Sequence, residues 1–186
     1  MKVKSAATQV HREQPLVLGY KVDIARQESV KAMYDSLVEV FNARLDSLIN
    51  NTAQMEPYKP FLESDPDTYW RTWEVNIQGL FNMARTFFPM LSEQSLQVVY
   101  GEQGLWASCV NPGAIKIKIT AGALEAVRNV LPDRLAIAGD TIAWLASDRK
   151  EWLGGRYISC PWDMEELVAK KDEIAKEDAL KLRLVV

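Results

Sequence analysis

No stretch of this 186-residue chain approaches the roughly 20 apolar residues of a membrane span. The opening MKVKSAATQVHREQP also lacks an apolar run of signal-peptide length, so a soluble cytoplasmic protein is expected. Cysteine is scarce: Cys109 and Cys160 lie far apart among apolar residues, outside any CxxC or Cys/His cluster. Buried free thiols are expected there, not a disulfide, and no metal site is expected. His11, in a polar stretch, is the only histidine, which leaves a Ser-His-Asp triad without a well-placed base. Neither sign of charge dominates. With 22 Lys and Arg against 25 Asp and Glu, the net charge is −3 and the signs are mixed, so no nucleic acid or membrane partner is expected. The nine glycines contain no GxGxxG, and the residues four places after the six tyrosines are Ile24, Val38, Leu62, Trp73, Gly104 and Pro161, none of them lysine.

What is present alternates between two periodicities. Leu16–Ile24 (LVLGYKVDI) mixes β-branched and aromatic residues after Pro15 and predicts a strand, as does the shorter Leu45–Asn50. Between them, Val30, Met33, Tyr34, Leu37, Val38 and Phe41 recur at spacings of three and four, which predicts an amphipathic helix over 26–42. Ser64 or Asp65 can cap a helix that has Pro66 in its first turn and runs to Leu91. Further on, 106–115 predicts a strand entering a Pro-Gly turn, and 121–130 a short helix. Asp140 is placed to cap another helix, which Gly154 and Gly155 end before the strand RYISC. The tail from about 165 to 186 is charged and predicts a helix, with Glu166 and Lys170 spaced to pair. The carboxylate pairs Asp65/Asp67 and Glu165/Glu166 fall at helix starts, where negative charge is favoured without any catalytic role.

Strands alternating with helices of this length imply one α/β domain over 1–186 with a mainly parallel sheet. Ligands in such sheets bind at the carboxyl ends of the strands, which gives Asp23, Asn50 and Asn111–Gly113 a shared location.

In order, VDI, LINNTAQ, EVNIQG and VNPGAI resemble segments of the short-chain dehydrogenase/reductase family, which uses NAD or NADP to interconvert alcohols and ketones on a Rossmann-type three-layer fold. The closing stretch from Gly139 to Ile174 resembles fungal members that serve small-molecule biosynthesis. The resemblance implies a cofactor-binding set of Asp23, Asn50, Pro112 and Gly113. Asp23 stands where the family accepts a hydrogen bond from the adenine amino group; a helix N-cap is the alternative reading. Thr52 and Ala53 replace the Ala and Gly of the family's NNAG, where the backbone lies close to the cofactor. Asn76 matches the asparagine that holds a water in the family's proton relay and is the one catalytic residue that can be placed. VNPGAI matches the turn over the nicotinamide, with Ile117 where a threonine is expected; a plain Pro-Gly turn is the alternative.

Measured against that family, the Gly-rich loop and the catalytic Ser, Tyr and Lys are absent, the latter across a break near 94–99. The expectation is an incomplete Rossmann-like fold lacking the N-terminal βαβ unit and the central catalytic strand and helix. Such a remnant would be marginal or partner-dependent and catalytically impaired. The other expectations are a non-catalytic protein that makes homo- or hetero-oligomers through helix 66–91, and the product of a coding region from which segments have been left out.

Overall fold

The computed structural model describes residues 15–91, 107–181 and 183. The first helix, α1 (Gln27–Phe41), buries Val30 and ends at Asn42, whose φ of 49° gives the left-handed C-cap expected of asparagine. The predicted long helix is present but changes pitch twice. It runs as α2 (Pro66–Trp73), a π-helical stretch Glu74–Gly79, α3 (Leu80–Phe87) and a 3₁₀ turn Phe88–Leu91. Asp65 is its N-cap, accepting hydrogen bonds from the Thr68 amide at 2.8 Å and hydroxyl at 2.7 Å.

Strand β1 (Cys109–Asn111) pairs in parallel with β2 (Tyr157–Ser159), in the register Val110 to Ile158. Between them lie α4 (Glu125–Asn129) and α5 (Leu135–Ser147), and after them α6 (Met164–Ala169) and α7 (Lys171–Lys176). This is the α/β crossover that parallel strands require.

Several expectations need correction. The sheet has two strands among the described residues rather than the several predicted. Segments 16–24 and 45–50 form no strand and belong to no ladder. A strand needs a neighbour to take its amides, and here helices and turns take them instead. The Ile24 carbonyl accepts from buried Asn82 Nδ2 at 3.0 Å, the Asp23 amide donates to Ser29 Oγ at 3.0 Å, and the Leu45 amide donates to the Met90 carbonyl at 2.8 Å. Helix α5 begins six residues before the predicted start, so Asp140 lies exposed inside it and caps nothing. The tail does not continue as helix. Asp178 and Leu180 adopt positive φ, and the Leu180 carbonyl accepts from the Tyr157 amide at 2.8 Å. Cys160 is buried as expected, with burial pushing its thiol pKa up, but Cys109 is exposed; both are free.

The buried apolar residues form separate clusters. One joins Val30, Phe87 and Met90 with Val22, Ile24, Leu45 and Leu48. A second joins Leu145, Leu153, Ile158, Leu167 and Ile174, and a third, of Ile115, Ala138 and Cys160, shares Val110 with it. No helix among the described residues is long and apolar enough to cross a membrane.

Candidate functional site

The segment Val22–Ile24, the loop Thr52–Pro57, Arg71, Val75 of the π-helical stretch and Lys118–Ile119 line an open cavity of about 700 Å³. Each wall is fixed locally. Gly79 lets the helix meet segment 22–24, since a Cβ there would lie 2.6 Å from Ile24 Cγ1. Asn76 holds the loop: its Oδ1 accepts from the Gln54 amide at 2.8 Å, and its Nδ2 donates to the Gln54 carbonyl at 2.7 Å. One side chain thus satisfies both backbone groups of a residue that has no strand partner. A π-helical turn is uncommon and tends to mark functional positions, and this one carries Asn76.

Asp23 lies in the cavity wall with an ion pair of its own. A single Arg71 nitrogen, Nη2, donates to Oδ1 at 2.9 Å and Oδ2 at 3.0 Å, while Nη1 reaches Glu74 Oε2 at 3.0 Å. The Ala25 amide also donates to Oδ1 at 3.1 Å, and Arg26 Nε lies 3.7 Å from Oδ2. Hydrogen bonding from Arg71 holds the Asp23 carboxyl below the usual range, and the carboxylates of Glu74 and Asp23 raise the Arg71 guanidinium. Residue Arg26 occupies the N-cap of α1, so Asp23 makes a turn ahead of the helix and does not cap it.

The remaining predicted residues lie away from that wall. Asn50 is exposed, two positions before Thr52. Pro112 is exposed, and Gly113 has φ of 101°. The Gly113 amide donates to Asn111 Oδ1 at 3.0 Å. Asp133, which the sequence did not single out, braces this turn: its Oδ2 accepts from the Ala114 amide at 2.6 Å, and its own amide donates to the Ala114 carbonyl at 3.1 Å. Its only signal in the sequence was the Pro-Asp pair before α5. Arg71 was missed as well, lying among aromatic residues in TYWRTW. After the Pro-Gly turn, Thr120 turns inward on the backbone. Its Oγ1 accepts from the Ile117 amide at 3.1 Å and donates to the Ile117 carbonyl at 2.8 Å. No group of three His, Cys, Asp or Glu among the described residues is arranged to hold a metal.

Comparison with known proteins now identifies this architecture. The sequence profile described as short chain dehydrogenase matches residues 1–99. The chain is 32% identical over 219 residues to the short chain dehydrogenase citE of Monascus ruber, covering 99% of this chain and 75% of that protein. It is 28% identical to pigC of the same organism, covering 98% and 73%. This chain belongs to the short chain dehydrogenase family. Solved structures agree on the fold of this short chain dehydrogenase. The oxidoreductase yciK from E. coli superposes with a TM-score of 0.68 at 16% identity, covering 87% of this chain and 80% of that one. A short chain dehydrogenase from Salmonella enterica superposes with a TM-score of 0.67 at 16% identity, covering 87% and 80%.

In volume the cavity matches part of a dinucleotide, the cofactor that the family implies. Its volume lies within the roughly 300–1,000 Å³ of small-ligand sites. Asp23 and Lys118 put a carboxylate and a cation on its lining, with Thr52 and Ala53 beside them. Among the described residues, no glycine-rich turn opens a helix to cradle a pyrophosphate.

Proposed function

We propose that this short chain dehydrogenase keeps the base and ribose end of an NAD(P) site, with alcohol/ketone oxidoreduction in small-molecule, secondary metabolism as its inherited chemistry, and that it is catalytically impaired. When bound, the cofactor would supply the hydride. The chain's own residues would place the nucleotide against Asp23, the Thr52–Gln54 loop and Lys118.

The observation that carries the impairment is the lack of a Tyr-Lys pair at the family's spacing, which leaves Asn76 without its catalytic partners. Asn76 is the one member of the family's proton relay that can be placed, and here it brackets both backbone groups of Gln54. No tyrosine is followed four places later by lysine, and the general acid such a pair provides is worth roughly 10² to 10⁴ in rate. The match to citE supports an internal omission. It runs over 219 positions, whereas 99% of 186 residues is about 184, which leaves about 35 positions opposite gaps in this chain.

The test is thermal unfolding followed by tryptophan fluorescence, with and without millimolar NADPH. The midpoint should rise with NADPH, because a ligand that binds only the folded state stabilises it by mass action. Oxidation of NADPH by ketones should run at least about 100-fold below that of an intact family member. An unshifted midpoint rejects the nucleotide site, and turnover at the level of an intact member rejects the impairment.

A second reading, a homo- or hetero-oligomeric interaction role, is favoured by one face of the long helix. Trp70, Trp73, Ile77 and Phe81 are 64%, 47%, 57% and 58% exposed and line a single groove with Glu74 and Gln78. Their spacings of three and four make one continuous apolar stripe. In a monomer that stripe faces water, which is the mark of an interaction surface.

A further inference from the structure

The Asp23–Arg71 pair lies inside the cavity wall, so it competes directly with anything that binds there. Asp23 has little accepting capacity left. Its Oδ1 takes hydrogen bonds from Arg71 Nη2 and the Ala25 amide; its Oδ2 takes Arg71 Nη2 and faces Arg26. A carboxylate offers about four lone-pair sites; three are taken here, and the one left on Oδ2 lies between the Arg71 and Arg26 guanidinium groups, so an incoming amino group competes with them. The Ala25 amide cannot be displaced, since it is fixed by the turn into α1. Arg71 can. Its side chain is 37% exposed, and its Nη1 already rests on Glu74, one turn along the same helix.

We propose that Arg71 gates the base end of the cavity: Asp23 receives an adenine amino group best when the guanidinium leaves Asp23 and is retained by Glu74. This rests on the nucleotide-site reading above and adds a determinant of its affinity. Arg71 is thereby a positioning residue with two carboxylate partners, one inside the site and one outside it. Nucleotide binding is coupled to the transfer between them. Bases without an exocyclic amino group gain nothing from the exchange, so they are indifferent to it.

Adenosine and inosine, both uncharged, probe this without any phosphate being attracted to the cations of the site. Their affinities for the full chain and for Arg71→Met would be measured by NMR titration. Both members of the pair are about one-third exposed, so breaking it should strengthen adenosine binding by only about threefold to fivefold. Inosine should be unchanged. Raising the salt concentration, which needs no variant to fold, should likewise strengthen adenosine binding to the unaltered chain, since screening weakens the competing ion pair. If adenosine binds Arg71→Met equally or more weakly, or if inosine gains as much as adenosine, the gate is wrong. The NADPH midpoint shift separates the two readings: a shift in the unaltered chain with no adenosine gain rejects the gate alone. Absence of both rejects the gate together with the site.

Discussion

Gly113 has little latitude on two counts. Its φ of 101° is open to glycine and strained for any L side chain. A Cβ there would also lie 2.7 Å from Asp133 Oδ2 and 3.2 Å from Pro161 Cγ. The carboxylate cannot retreat freely, because the same oxygen accepts from the Ala114 amide. Gly113→Ala is therefore expected to destabilise by roughly 1 to 3 kcal/mol, read as a lower urea midpoint with an unchanged slope. A loss below a few tenths of a kcal/mol would show that the turn relaxes. The sequence pointed to this Pro-Gly turn, Asn50 and Asp23 as polar strand ends, and the family resemblance pointed to Asn76. It did not show their partners. Arg71 is 48 residues from Asp23 and Asp133 is 19 residues from Ala114, and no local periodicity reports a hydrogen bond made at such a separation.

The elements divide along the same line. Helices were legible where an apolar stripe or a cap set them: α1 from its spacing, α2 from Asp65 and Pro66, and the Glu166–Lys170 pair at 2.6 Å from its i,i+4 placement. Strands were legible only where a partner exists. RYISC and CVN pair with each other, whereas LVLGYKVDI has the same β-rich composition and joins no ladder. Strand propensity reports fit to a pleated surface and cannot create the neighbouring strand. The long helix carries the element-scale prediction. If its exposed Trp70–Phe81 stripe is a contact surface, Trp73→Glu places a charge at its centre and should shift the chain to a monomer in light scattering behind size exclusion, with α2 retained by circular dichroism. An unaltered chain that is monomeric at tens of micromolar, alone and mixed with an intact family member, would remove the interaction reading.

At the scale of the whole molecule, the distribution of the core matters more than its size. Every member of the cluster around Val30, Phe87 and Met90 lies between residues 22 and 90, whereas the clusters around Leu153 and Cys160 draw on residues 110–180. What lies between the two halves is the cavity, lined by residues 22–24, 52–57, 71 and 75 on one side and 118–119 on the other. Two apolar cores separated by a cavity share little burial, and cooperativity in unfolding comes from shared burial. The expected behaviour is two transitions in urea. Val30→Ala should lower one of them, read by amide exchange in α1. Leu153→Ala, which truncates a fully buried side chain, should lower the other by roughly 2 to 5 kcal/mol, read by the fluorescence of Trp144 and Trp152, which pack on the same cluster. NADPH would contact both sides of the cavity, so it should draw the transitions together while raising both. A single coincident transition that either variant moves equally would show that the halves already unfold as one unit, and that coupling between them does not wait for the ligand.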